Sequence, residues 1–265
     1  MAPSTGDADI LAVLDGRGDV LDSLREEPKD KRALEADLDV SRSTVDRALR
    51  ELETAGLVDR DGGRYLPTAT GRLLVREYRR FESTAAAVAR LEPFLKWVPE
   101  GELDLDPRWL TDVELRTPRE GDPYAMINRH VEAIAECDRF DGMLPLVGLH
   151  AHETTYERVV EDGATVDVVL SRTALETMRT EPYRPKAREL LAHDRYDVAV
   201  TDEPVPYFLG VFDGEHVQVG VDEDGEPRAL AEADSARVVE WAEGKLRDVR
   251  AAATPVTADE FASPD

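Results

Sequence analysis

Ser41, Arg42, Ser43, Thr44, Arg47 and Arg50 place hydroxyl and guanidinium groups close together in one short stretch. That set suits nucleic acid. An arginine fork can address guanine O6 and N7 together, which makes Arg42 and Arg47 candidates for base edges. Ser41, Ser43 and Arg50 suit phosphate oxygens, contacts that position a protein without reading sequence. The competing reading is a solvated, ion-paired face, with Arg47 on Glu51 and Arg50 on Asp46, each pair worth only a few tenths of a kcal/mol.

The element that must position these groups is DVSRSTVDRALRELETAGL, Asp39–Leu57. Ser41 is a helix N-cap by type, its hydroxyl able to accept from a backbone N–H of the first turn. Val45, Leu49 and Leu52 share one face at spacings of four and three. Gly56 follows, where a left-handed cap is often needed. Leu34, in a shorter helix over Lys31–Asp37, and Leu38 just after it give the apolar face a partner. A short helix, a tight turn and a second helix with exposed arginines is a helix-turn-helix, whose second helix enters the major groove. Asp61-Gly62-Gly63 then separates two short strand candidates and reads as a hairpin tip. As a wing it would bring Arg60 and Arg64 to the backbone or minor groove. Residues 1–69 are thus expected to form a winged-helix domain. A long helix over 70–92 follows, with Leu74, Tyr78, Phe81, Ala85 and Val88 on a heptad-like seam. That seam suits homodimerisation, or packing on the chain's own second domain.

A second set of polar residues lies further on. His150, His152 and Glu153 in GLHAHE, Ser171-Arg172, and Thr201, Asp202 and Glu203 each follow an apolar run that reads as a strand. Open α/β sheets bind ligands at the carboxyl ends of their strands, so these eight residues are the expected small-molecule site. The His-x-His pair could ligate a metal, but spacing identifies no third ligand, and neither metal nor cofactor is expected. No nucleophile-and-base arrangement with a recognisable local signature is present. Cys137, the one cysteine, lies on an amphipathic helix and reads as a small buried hydrophobe. It excludes an intrachain disulfide and a cysteine zinc cluster. An enzyme is therefore not expected.

Strands over Met143–Leu149, Val166–Leu170 and Tyr196–Thr201 alternate with helices. A hairpin signal joins Tyr207–Phe212 to His216–Val221. A closing helix is expected over Ala231–Ala251. Residues 123–252 are thus expected to be an α/β domain with a mostly parallel sheet. Residues 93–122 read as a connector and 253–265 as a disordered tail. The whole is an α+β winged helix followed by an α/β sensor.

The net charge is −24, and it is unevenly spread. Residues 1–80 hold 17 acids and 14 bases, whereas 81–265 hold 40 and 19. Only five of the 33 basic residues are lysine. Abundant acids with almost no lysine is the composition of a salt-loving archaeal protein, soluble where salt screens charge within about 3 Å at 1 M. No signal peptide or apolar membrane span is evident, which points to the cytoplasm.

The residues SRSTVDRALRELETAGLV, followed by a wing and a long helix, resemble the winged-helix domains of archaeal regulators. The strand–helix run around ATVDVVLS, the segment PYFLGVFDGEHVQVGVDEDGEPRAL and the closing VVEWAEGKLRDVRAAA resemble the companion domain of the FilR type. The layout is also similar to TrmB-type regulators, whose sensor domain resembles phospholipase D folds. No histidine here is followed two residues on by lysine, so the HxK motif of active phospholipases is missing. The resemblance implies a transcriptional regulator, expected to be a homodimeric repressor on double-stranded DNA, with a small-molecule effector and no membrane partner. The readings from other classes are an enzyme with a catalytic α/β domain, and a protein-binding adaptor whose winged helix does not touch DNA.

Overall fold

A computed structural model describes residues 5–261. The chain divides into two compact units, residues 1–85 and 86–265.

The first unit contains α1 (Thr5–Glu26), α2 (Lys31–Leu38), α3 (Arg42–Thr54), β1 (Val58–Asp61), β2 (Arg64–Pro67) and most of α4 (Ala69–Arg90). Asp30 caps α2, accepting from Ala33 N–H at 2.8 Å. Asp39 takes a left-handed turn at φ 50°. Ser41 then caps α3, accepting from Thr44 N–H at 3.2 Å. Val45, Ala48, Leu49 and Leu52 of α3 are buried against Leu14, Leu21 and Leu24 of α1 and Leu34 of α2. β1 and β2 are antiparallel, with Asp61 opposite Arg64. The two-residue turn between them has φ 54° at Gly62 and 89° at Gly63, the pair of positive values a tight hairpin turn demands.

Glycine is a poor helix former, yet α1 runs through both Gly16 and Gly18. Gly18 is buried beneath the Arg79 guanidinium, which would lie 3.1 Å from an added Cβ. Arg79 pairs with Asp19 at 2.5 Å and Asp22 at 2.6 Å on α1, and with Glu82 at 2.7 Å on its own helix. The Tyr78 hydroxyl donates to Asp15 at 2.9 Å. These bonds divide the expected seam. Leu74 and Tyr78 pack on the first unit's own core, whereas Phe81 is 67% exposed and Ala85 and Val88 are also exposed.

The second unit contains α5 (Glu92–Leu95), a 3-10 turn (Pro107–Asp112), β3 (Glu114–Arg116), α6 (Ala125–Glu136), β4 (Arg139–Leu144), α7 (Leu149–Val160), β5 (Thr165–Ser171), α8 (Arg172–Met178), α9 (Arg184–Leu190), β6 (Tyr196–Thr201), β7 (Phe208–Phe212), β8 (His216–Glu223), β9 (Glu226–Ala233), α10 (Ala236–Ala252) and β10 (Thr254–Pro255). Eight strands form one sheet in the order β10-β6-β5-β4-β7-β8-β9-β3. Only β4–β5 and β5–β6 pair in parallel, and the other five pairings are antiparallel. The sheet is therefore mixed rather than mostly parallel. Both faces are covered. Val166, Val168 and Leu170 pack towards α6–α9, whereas Val169 packs towards α10, following the two-residue alternation of a strand.

Three further expectations are corrected. The stretch 93–122 supplies β3 as well as buried Phe94, Leu110 and Val113, so it belongs to the second unit's core. The strand expected over Met143–Leu149 is β4, Arg139–Leu144, and the residues after it form a loop and the first turn of α7. The tail is ordered as far as residue 261: β10 pairs with β6, and Val256 and Phe261 are buried. Residues 262–265 lie outside the described part.

Gly71 sits where α4 passes Leu57, and an added Cβ would stand 2.1 Å from the Leu57 carbonyl oxygen. Backbone cannot yield as a side chain would. Gly71→Ala is expected to cost roughly 1–3 kcal/mol or more, read as a lower Tm in thermal denaturation, whereas Gly16→Ala, with open space around it, leaves Tm unchanged or raised.

Candidate functional site

The N-terminal turns of α3 are the first site. Ser41, Arg42, Ser43, Thr44, Arg47 and Arg50 are all exposed. The Ser41 hydroxyl is engaged in the cap and lies 2.9 Å from both the Ser43 and the Thr44 hydroxyls. Arg47 is paired with Glu51 at 3.1 Å, and Arg50 donates to the Asp46 carbonyl at 3.2 Å. Glu51 also receives Arg17 at 2.8 Å; the two guanidiniums, Arg17 first, hold its carboxyl below the usual range. Because Glu51 keeps Arg17, Arg47 can leave it at little cost, as exposed pairs are worth about 0–1 kcal/mol. The side chains of Arg42 and Arg64 make no hydrogen bond or ion pair among the described residues. Arg60 lies over the Tyr65 ring, 5.6 Å from its centroid.

Arg42 and Arg60 open onto one groove of about 410 Å³, lined also by Lys31, Arg32, Asp30, Glu35, Gly63 and Tyr65. The structure thus brings the helix and the hairpin tip together and adds Lys31 and Arg32, which the sequence reading passed over. Their signal was their place just after the Asp30 cap. Lys31 is held by Asp46 at 2.5 Å, a pair that raises its pKa.

The second site is a cavity of about 480 Å³ in the second unit. It lies beyond the end of β4, between α6, the start of α7 and the sheet. Most of its lining is apolar, including Met126, Ile134, Phe140, Val168, Phe208 and Leu230. Of the eight expected ligand residues, only His150 and His152 line it. The others serve the fold. Ser171 caps α8 and donates to the Pro145 carbonyl at 2.7 Å. Arg172 and Asp202 pair with each other. Thr201 accepts from Glu203 N–H at 3.1 Å, and Glu153 meets Lys186 at 3.4 Å. His152 lies 3.2 Å from the Tyr183 carbonyl. A carbonyl only accepts, so Nε2 carries the proton. Burial pushes the His152 pKa down. Among the described residues no group of three or more His, Cys, Asp or Glu is gathered to hold a metal. Burial raises the Cys137 thiol pKa to about 11, which keeps it protonated.

A polar network runs from the sheet into this cavity. Glu232, only 4% exposed, accepts from Arg129 at 2.7 Å, Arg116 at 2.9 Å, Gln218 at 3.1 Å and His216 at 3.2 Å. Burial opposes its ionisation, but these donors outweigh burial and hold its pKa at about 2. Gln218, fully buried, lies on its far side 3.0 Å from His130 Nδ1. His130 packs edge-on to Phe208, with centroids 4.5 Å apart, and is flanked by Phe140 and Phe212. Those rings fit because Gly142 and Gly210 face each other on β4 and β7; a Cβ on either would come within 3 Å of a phenylalanine ring. Sequence reasoning missed His130. It sits on an ordinary amphipathic helix, and its partner is 88 residues away.

Residues 5–90 match the model of the HVO_A0261 N-terminal domain. Residues 123–252 match the middle domain of the methanogenesis regulatory protein FilR1. No match is found among curated proteins. Among solved structures, TrmBL2, an archaeal chromatin protein, aligns at 14% identity and a TM-score of 0.41 over 93% of this chain and 98% of its own. NucT from Helicobacter pylori aligns at 9% identity and 0.44 over 54% of this chain and 98% of its own. The phospholipase D family member Nuc from Salmonella typhimurium aligns at 12% and 0.41 over 55% and 97%. Scores this low carry no functional inference.

The network sets a pH dependence. Glu232 and Asp234 raise the His216 pKa above its ordinary 6.5. Its contribution to stability is therefore full below pH 6.5 and fades as pH rises through the raised value. The contribution of Glu232 is full above its ordinary 4.5 and is lost as pH falls towards about 2. Tm is expected to fall above neutral pH in the native chain, and His216→Gln should flatten that limb while moving the acid limb to higher pH, because His216 is the foremost donor holding the Glu232 pKa down.

Proposed function

This chain belongs with the proteins that join an HVO_A0261 N-terminal domain to a FilR1 middle domain, and from that premise we propose that it is a DNA-binding transcriptional regulator whose second domain holds a small-molecule effector. FilR1 is described as a methanogenesis regulatory protein; regulation is the part of that description adopted here.

The observation that carries the reading is the face of α3. A strongly acidic chain, net −24, keeps Arg42 unpaired and Arg47 weakly paired at the start of a capped helix, and opens Arg42 onto a groove shared with Arg60, Lys31 and Arg32. Three helices and a hairpin in this order support a winged helix, with α3 in the major groove and Arg60 and Arg64 at the backbone or minor groove. The acid-rich, lysine-poor composition supports a salt-loving archaeal source. High salt weakens phosphate contacts by counterion competition, so base contacts and dimerisation have to supply more of the affinity. Phe81, Ala85 and Val88, exposed on α4, are the surface for a homodimer, and repression is the expected mode. The cavity of about 480 Å³ is within the range typical of ligand sites.

Arg42→Ala with Arg47→Ala is expected to weaken binding to the regulated promoter by about tenfold or more, at 1–3 kcal/mol for each base contact, with the thermal melt unchanged because both side chains are exposed. Unaltered occupancy of genomic sites in chromatin mapping of the double variant would refute reading by α3. Phe81→Glu should shift the chain towards monomer in sedimentation, and an unchanged dimer would place the dimer interface elsewhere.

A further inference from the structure

The polar atoms of the effector cavity are unevenly satisfied. Thr155 donates to the Ala151 carbonyl at 2.8 Å, and Thr177 donates to the Thr173 carbonyl at 3.0 Å. Asp222, the one carboxylate in the lining, accepts from Gly225 N–H at 3.0 Å. Three groups differ, one of them His152, whose Nδ1 has no partner among the described residues once Nε2 donates to the Tyr183 carbonyl. The Tyr196 hydroxyl makes no hydrogen bond among the described residues, although Tyr196 is only 8% exposed. The hydroxyl is not sealed in protein, which leaves it free to meet a ligand. His130 spends Nδ1 on Gln218, and Nε2 has no partner among the described residues.

The network determines which kind of atom Nε2 is. Glu232 is ionised and can only accept, so the amide nitrogen of Gln218 must face it. The amide oxygen of Gln218 therefore faces His130. An oxygen there can only accept, so His130 Nδ1 carries the hydrogen. Burial lowers the His130 pKa and outweighs the bond to Gln218, which favours the neutral ring. Nε2 is left as a bare lone pair. His130 is partly accessible, and the space it lines is the cavity.

We infer that the effector is an uncharged, largely hydrocarbon molecule bearing a hydroxyl group, which donates to His130 Nε2, with the Tyr196 hydroxyl supplying a second polar contact. This rests on the effector-domain reading above. The lining offers no unpaired cation for an anionic ligand. The volume suits a fused-ring or branched molecule: a dry apolar cavity of about 150 Å³ already accepts benzene, and this one measures about 480 Å³. Discrimination against a ligand lacking the donor follows because such a ligand buries Nε2 unpaired.

The test uses the full chain in multimolar potassium chloride and two matched probes, 2-naphthol and 2-methoxynaphthalene, with binding followed by calorimetry. The native chain is expected to bind 2-naphthol about tenfold more tightly, the worth of roughly one buried hydrogen bond. His130→Phe should bind both probes with nearly equal affinity. Tyr196→Phe, which deletes a single oxygen, should weaken both probes alike, because either probe's oxygen can accept from the tyrosine hydroxyl. Equal binding of the two probes by the native chain, or a preference that persists in His130→Phe, would overturn the role of His130 and leave the effector domain standing. Binding of neither probe would overturn both. Should His130→Phe fail to fold, the native chain and Tyr196→Phe still decide.

Discussion

A carboxylate removed from water must be surrounded by donors, and Glu232 is. Taking away one partner of a buried charge typically costs about 3–5 kcal/mol, so the groups around Glu232 are not interchangeable. Arg116 comes from β3, Arg129 from α6, and His216 and Gln218 from β8. One residue thus ties the sheet's far edge, its central hairpin and a covering helix into one arrangement. The segment that resembled a connector is drawn in because β3 carries one of the four donors. Gln218 transmits the constraint into the cavity, where it orients His130.

The α3 face follows the opposite principle. Its charges are exposed and loosely held, so little must be broken before they meet a partner. The apolar side of the same helix is fully buried, and the Ser41 cap fixes where the helix begins. Rigidity behind and weak pairing in front suit a reading surface. Arg79 contributes at a distance, since its pairs with Asp19 and Asp22 clamp α4 onto α1, while Phe81, Ala85 and Val88 further along α4 are exposed.

Legibility in the sequence followed locality. The α3 cap, the Gly62-Gly63 turn, β5 and β6 were readable because their signals lie within a few residues. β9 was not: ALAEA carries helix-forming residues, and only pairing with β8 on one side and β3 on the other makes it a strand. The β7–β8 hairpin was readable from its turn, whereas the pairings of β9 with β8 and with β3 were not. The candidate ligand residues at the strand ends were reasonable by fold position, yet Arg172, Asp202, Ser171 and Thr201 satisfy one another or the nearby backbone. His130 could not be read at all, since its significance depends on a chain of hydrogen bonds through two distant residues.

The central claim is that α3 reads base edges from the major groove as one half of a symmetric pair. Dimethyl sulfate interference on a bound promoter fragment tests it most directly, because methylation falls on guanine N7, where an arginine fork would sit. The account predicts interference at guanines in two clusters, about 10–10.5 base pairs apart or a multiple of that spacing. Binding that ignores N7 methylation, or interference confined to adenines in the minor groove, would contradict it.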